Sequence, residues 1–310
     1  MRCILIIYFL LYTLIIKMNY CVLSCCSSLD LPLTKLKEKN IEVIPFRFIL
    51  DNKEYLDDNF NSLSPEFFYE KISKNANAKT SQINVNEYLL HFEKFVKQGF
   101  SILHVCASTG ITATFYNALK AKDVLKEKYP TCEIYVINSL CASCGYGLLV
   151  DMLANARDKG MSAKELYEYG ENLKLQIRTV FCATDLSYYV KGGRISPIEG
   201  AIGGALKIFP ILEVDGTGKL KTLKKVRGTA KAYDALISYM YENISDKNYN
   251  EKCFVCHSNR INEAKNLCKK LETTFPNLLN EIEIFSVGPT NACHTGEGTF
   301  AICFVGKQRI

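Results

Sequence analysis

Short apolar runs alternate along this chain with segments in which apolar and polar residues share the positions of a helix. Residues 101–105 and 133–137 are runs of the first kind and read as strands buried on both faces. Each is followed by an amphipathic segment. Helix starts carry their own marks. Ser64-Pro65 offers an N-cap hydroxyl with proline at the first helical position. Asn84 with Glu87, and Ser162 with Glu165, are capping boxes. Residues 41–50 are β-rich, and 20–23 supply a first strand. Strand–helix alternation of this kind predicts a largely parallel α/β sheet covered on both faces.

Beyond the helix that Ser162 opens, which should end near Gln176, the pattern changes. Strands are expected at 178–183, 209–214, 220–226, 253–256, 281–287 and 299–305, with helices at 229–242 and 262–274. Asp215-Gly216-Thr217-Gly218 is a hairpin signal between two of these strands, so the second sheet should be mixed or antiparallel. The expected organisation is a two-domain α/β fold: an apolar extension over 1–17, an N-terminal domain over 18–175 and a C-terminal domain over 176–310. No internal repeat or low-complexity linker is present.

Composition narrows the function classes. The 310 residues are 48% hydrophobic, enough for a core and inconsistent with disorder. The net charge is +6, spread among acidic residues with no basic block, so a nucleic-acid partner is not expected. Fourteen cysteines invite a disulfide or metal reading, but most lie inside apolar runs, where a free thiol acts as a small hydrophobe. Cys253-Phe254-Val255-Cys256 reads as a strand, and residues three apart on a strand face opposite ways, which disfavours a shared ion, disulfide or haem. Cys141-Ala142-Ser143-Cys144 lies in a strand-to-helix turn. No metal or cofactor is expected at either pair.

Residues 3–16 are almost unbroken apolar, between Arg2 and Lys17. Fourteen residues are short for a membrane span and typical of a signal-peptide core. Val22-Leu23-Ser24-Cys25 has the look of a lipoprotein cleavage site, but cleavage there would remove residues 20–23 of the first strand. The preferred reading is a non-native or removable extension and a cytoplasmic protein; a secreted or lipid-anchored surface protein is the alternative.

Candidate chemistry falls in a few glycine- and hydroxyl-rich turns. Thr80-Ser81-Gln82 follows a polar loop at 73–79 and precedes a helix. Ser108-Thr109-Gly110-Ile111-Thr112-Ala113-Thr114 follows a strand and opens a helix, where backbone N–H groups and hydroxyls form an anion site. It lacks the Gly-Lys-Ser/Thr ending of a phosphate loop. Val136-Ile137-Asn138-Ser139 ends a strand at the same sheet edge. Lys191-Gly192-Gly193-Arg194 leads into a third capping box, Ser196 with Glu199, and then into a small apolar stretch at 200–206 suited to packing beside a helix or a long apolar ligand. Gly288-Pro289-Thr290-Asn291-Ala292-Cys293-His294-Thr295-Gly296-Glu297-Gly298 displays a histidine on a glycine-rich turn.

Taken in order with Ser27-Ser28-Leu29-Asp30-Leu31-Pro32 and Val226-Arg227-Gly228, these segments resemble the DegV family of fatty-acid-binding proteins over nearly the whole chain from Met18. The resemblance implies two α/β domains with a long-chain fatty acid buried between them. It also implies a non-catalytic carrier that presents the carboxylate to a dihydroxyacetone-kinase-like subunit, which makes an acyl phosphate for phospholipid synthesis. Transient membrane contact fits that role. By the same resemblance Thr80 and Thr112 hold the carboxylate, with His294 in the hydrogen-bond network and Arg194 supporting it. Ser81, Ser108, Thr109, Gly110, Gly192, Gly193 and Thr295 surround the pocket, and Arg227 faces the kinase. The chain departs from the family pattern at Cys26, where an Asp is usual, at Ile83, Thr112, Ala113, Asn138 and Leu140, and at Phe209. The competing enzymatic reading is an acyl hydrolase or acyltransferase with Thr112 or Ser108 as nucleophile and His294 as base, although no nucleophile elbow is present.

Overall fold

The structure is a computed structural model that describes residues 21–74, 76–200 and 208–310. The apolar run at 1–17 and most of the small apolar stretch at 200–206 therefore lie outside the described residues. In chain order the elements are β1 (Cys21–Cys26), a 3-10 turn at Ser27–Leu29, α1 (Leu33–Glu38), β2 (Ile41–Ile44), β3 (Arg47–Leu50), β4 (Lys53–Leu56), α2 (Pro65–Ser73), β5 (Ala78–Ser81), α3 (Val85–Val96), β6 (Ser101–Cys106), α4 (Thr114–Lys128), β7 (Ile134–Asn138), α5 (Ser143–Asp158) and α6 (Ala163–Leu173). There follow β8 (Ile177–Cys182), α7 (Ser187–Lys191), α8 (Pro197–Gly200), β9 (Ile208–Val214), β10 (Leu220–Arg227), α9 (Thr229–Asn243), β11 (Cys253–His257), α10 (Ile261–Thr274), a 3-10 turn at Pro276–Leu278, β12 (Glu283–Ser286), α11 (Pro289–Thr295) and β13 (Phe300–Val305).

Among the described residues these strands form three sheets. The first is four-stranded and parallel throughout, in the order β2-β1-β6-β7. The second is six-stranded and mixed, in the order β10-β9-β8-β13-β11-β12, antiparallel except for β11 with β12. A small antiparallel sheet, β4-β3-β5, stands beside the first. The capping signals act as expected: Ser64 accepts from Phe67 N–H, and the boxes at Asn84–Glu87 and Ser162–Glu165 both close. Asp215 takes the N–H groups of Thr217 and Lys219 and so shapes the β9–β10 hairpin.

Two expectations need correction. The β-rich stretch 41–50 is two strands in two sheets, because Pro45 has no N–H to continue a ladder. The polar loop assigned to 73–79 ends in a strand, β5, which carries Thr80 opposite Phe48 of β3.

Helix α5 joins the two large sheets. It is buried along almost its whole length and touches β1 on one side and β8, β11 and β13 on the other. Two glycines let it fit. A Cβ on Gly145 would stand 2.1 Å from Thr179 Oγ1, and one on Gly147 would stand 2.6 Å from the Leu29 carbonyl. Its fully buried Asp151 pairs ionically with Lys39 at 3.0 Å, with Lys252 against the same carboxylate and Lys35 at 3.7 Å. A buried carboxylate needs such partners. One core therefore runs from Leu23 and Leu103 of the first sheet through Leu148 and Leu149 to Phe181 and Ala301 of the second.

Candidate functional site

Ligands of open parallel sheets collect beyond the carboxyl ends of the strands. Here the segments after β1, β6 and β7 meet α7, β5 and α11 at that edge, around a cleft of about 400 Å3. Ser28, Ala107, Ile111, Thr112 and Ala142 line it from the first sheet's loops. Thr80, Ser81 and Gln82 line it from the small sheet, and Gly192, Arg194, Asn291 and His294 from the second half. A narrower space of about 80 Å3 adjoins it, sharing Ile111, Ala142, Arg194, Asn291 and His294 and walled by Phe181, Tyr189, Val214, Leu220, Val287 and Ala301. The site thus has a polar mouth and an apolar continuation beneath α5 and the second sheet.

At the mouth, His294 joins three segments. Its Nε2 lies 2.9 Å from Thr80 Oγ1, and its Nδ1 lies 3.3 Å from Arg194 Nη1. A guanidinium can only donate, so Nδ1 must be the acceptor and the ring proton sits on Nε2. That proton goes to Thr80 Oγ1, which leaves the Thr80 hydroxyl proton free to point into the cleft. Burial first, and the Arg194 charge second, lower the His294 pKa to about 4. At neutral pH the imidazole is uncharged, and the positive charge of the mouth comes from Arg194 together with Lys79 and Lys191 on the cleft lining. Arg194 Nη1 also donates to the Gly192 carbonyl, while among the described residues its buried Nε has no hydrogen-bond partner. The buried Ser28 hydroxyl, also on the cleft lining, has none either. Unpaired buried polar groups at a cleft wall are what a polar ligand head would satisfy.

Sequence reasoning missed the clamp that holds α11 in place. Asp30, wholly buried in a left-handed conformation, accepts from Gly288 N–H at 3.0 Å and from Asn291 Nδ2 at 2.8 and 2.9 Å. The Ser143 hydroxyl donates to the same carboxylate. Burial pushes the Asp30 pKa well above the usual carboxylate range, against these hydrogen bonds. One side chain thereby ties the end of β1, the start of α5 and the helix of His294. Two glycines let α7 and α11 approach: a Cβ on Gly192 would stand 2.6 Å from His294 Nδ1, and one on Gly296 would stand 2.4 Å from the Tyr188 ring. The signal for the clamp was an acid in an apolar stretch, Ser28-Leu29-Asp30-Leu31, with no local partner in sequence.

The expected residues separate into groups. Thr80, Ser81, Thr112, Gly192, Arg194 and His294 line the cleft, and Thr295 lines its apolar continuation. Gly193 sits exposed in the α7 turn at φ 71°. Ser108, Thr109 and Gly110 are turned away from the cleft. The Ser108 hydroxyl donates to the Gly218 carbonyl at 2.7 Å, Thr109 pairs with Asn138, and Gly110 packs on the Gly218 backbone. Within this loop the N–H groups of Thr109, Gly110, Ile111, Thr112 and Thr114 are engaged by its own oxygens or by Asn138. The loop seats the β9–β10 hairpin. Arg227 is exposed at the end of β10, far along that edge strand from the hairpin.

Residues 26–307 match the sequence profile of the DegV family, described as "Uncharacterised protein, DegV family". The chain belongs to the DegV family. The DegV domain-containing protein CPE0026 of Clostridium perfringens is 32% identical over 283 residues, covering 91% of this chain and 96% of that protein. Two solved DegV-type structures share the fold. One is a DegV lipid binding protein from Thermotoga maritima, with a TM-score of 0.78, 22% identity, and 94% and 99% of the two chains covered. The other is the Streptococcus pneumoniae Fatty Acid Kinase (Fak) B3 protein loaded with linoleic acid, with a TM-score of 0.79, 22% identity, and 93% and 99% covered. The two-domain α/β arrangement expected from the sequence is the one these DegV structures have.

Proposed function

We propose that this DegV protein binds a long-chain fatty acid with its tail in the apolar space between the sheets and its carboxylate at the mouth. The single observation that carries the reading is the Arg194–His294–Thr80 chain at the head of an apolar cleft. Arg194 supplies the positive charge that an anionic head needs, and Thr80 and Thr112 supply hydroxyl donors. Each methylene removed from water contributes up to about 0.8 kcal/mol, so a long tail dominates the affinity. The similar folds of a DegV lipid binding protein and of a Fak B3 protein loaded with linoleic acid support the same chemistry.

We further infer that the protein is a carrier and that a separate kinase subunit, docking near Arg227, phosphorylates the carboxylate. The similarity to the Streptococcus pneumoniae Fatty Acid Kinase (Fak) B3 protein supports such a partner. The Thr80 and Thr112 hydroxyls, beside a guanidinium already engaged with the Gly192 carbonyl and His294, hold a carboxylate less tightly than a free bidentate guanidinium would, which keeps it available to a partner. The geometry weighs against the hydrolase reading. His294 bonds Thr80 and not Ser108, and its far nitrogen faces a cation where a catalytic base would face a carboxylate. Among the described residues no helix is long and apolar enough to cross a membrane.

The test is a reconstituted reaction with a dihydroxyacetone-kinase-like subunit, ATP and oleate. Acyl phosphate should form only when both proteins are present, and His294→Ala should slow it while the protein stays folded. Release of acid from an activated acyl ester by this protein alone would favour the enzymatic reading.

A further inference from the structure

Away from the cleft, the face of the first sheet beneath α3 and α4 carries an unusual set of side chains. Ser24 and Cys26 on β1, and His104 and Cys106 on β6, alternate along their strands and so point to one side. The two strands are parallel neighbours with Ser24 opposite His104 and Cys25 opposite Val105, which brings both cysteines to the same end. All four are wholly buried. The ligand atoms of Cys26, His104 and Cys106 lie within 4.8 Å of one another. Cys26 Sγ is 3.7 Å from His104 Nε2. The Tyr88 hydroxyl, reaching down from α3, is 3.2 Å from Cys26 Sγ and 3.9 Å from Cys106 Sγ.

We propose that Cys26, His104, Cys106 and the phenol oxygen of Tyr88 bind one zinc ion. A tetrahedral zinc with sulfur at about 2.3 Å and nitrogen or oxygen near 2.0–2.1 Å has edges of roughly 3.4–3.8 Å, close to the separations here. The charges also fit. Two thiolates neutralise a divalent cation, with imidazole and phenol uncharged, so nothing charged is left in the core. A monovalent soft cation would leave a buried negative charge, which is costly. Binding releases the two thiol protons.

The surroundings orient the ligands as in built metal sites. His104 Nδ1–H can donate to Ser24 Oγ at 2.9 Å, and Ser24 O–H to His91 Nε2 at 2.7 Å. That chain leaves His104 Nε2 with its lone pair toward the ion. Tyr88 O–H can donate to Thr114 Oγ1 at 3.0 Å, freeing an oxygen lone pair in the same direction. Thr114 opens α4 two residues after Thr112, so the ion would brace the loop that lines the cleft. The sequence spacing pointed only to the two C-x-x-C pairs, and no metal was expected; this set joins residues 78 and 80 positions apart.

The test uses the full chain, purified under reductant without chelator after growth with added zinc. Elemental analysis should find about one zinc per chain, and X-ray absorption should show two sulfur scatterers with two nitrogen or oxygen scatterers. Cys106→Ala should lower the zinc content at least tenfold, whereas Cys132→Ser, outside the cluster, should leave it unchanged. The absorption spectrum of the unaltered protein decides the matter should Cys106→Ala fail to fold. Less than a tenth of an equivalent of zinc, a shell without sulfur, or zinc retained in folded Cys106→Ala would each overturn the proposal.

Discussion

Replacing Gly192 by alanine presses on the mouth of the cleft through a single added methyl. Gly192 has φ −76° and ψ −9°, a conformation that alanine adopts without strain. By restricting the unfolded state alanine there gains about 0.4–1 kcal/mol, which offsets only part of the cost of crowding His294 and the Tyr188 carbonyl. The new methyl would stand 2.6 Å from His294 Nδ1, where ordinary contact begins at 3.4 Å. The ring must move by about 0.8 Å, and it is already held by Thr80 at 2.9 Å on its other nitrogen. A displacement of that size costs at least one of its two hydrogen bonds, about 1–2 kcal/mol of head-group binding. Fatty-acid affinity, measured by displacement of a fluorescent acyl probe, should fall about 5–30-fold in a protein that is still folded by circular dichroism. Unchanged affinity in a folded Gly192→Ala protein would refute the placement of the carboxylate at His294.

Three further outcomes are expected. Thr80→Val removes the acceptor of His294 and the donor to the ligand at nearly constant volume, and the same displacement assay should show about a 5–30-fold loss with unchanged circular dichroism. His294 has a folded pKa of about 4, below its unfolded value, so it contributes full stability above about pH 6.5 and loses it as pH falls toward 4. His91, lowered to about 3, acts in the same sense, while the raised Asp30 and Asp57 act oppositely. His294→Asn should therefore flatten the pH dependence of urea stability by about 1.4 kcal/mol per pH unit near pH 5, and a difference independent of pH would contradict this. Gly145→Ala should cost about 1–3 kcal/mol through its contact with Thr179 Oγ1, and a double-mutant cycle with Thr179→Ala should recover about 1 kcal/mol or more.

The sequence disclosed what is local. Caps at Ser64, Asn84 and Ser162, the Asp215 turn and the buried-strand runs all act over a few residues, and each stands where its pattern placed it. Cys253 and Cys256 do face opposite sides of β11, one into the core beneath α9 and α10 and the other toward α5. What stayed hidden depends on pairing across the chain. Strand β5 is short and polar, and it becomes a strand only because β3 lies beside it. Ser108 and Gly110 carried a ligand signature, but the hairpin at Gly218 claims them. Asp30 showed no role until Asn291 and Gly288 closed on it from more than 250 residues away.

The most direct test of the central claim is native mass spectrometry of the purified protein, followed by organic extraction and lipid analysis. One long-chain fatty acid per chain, lost or reduced in Gly192→Ala and Thr80→Val, is the predicted result. A protein that carries no lipid and takes up no added fatty acid, while folded as described, would contradict the account.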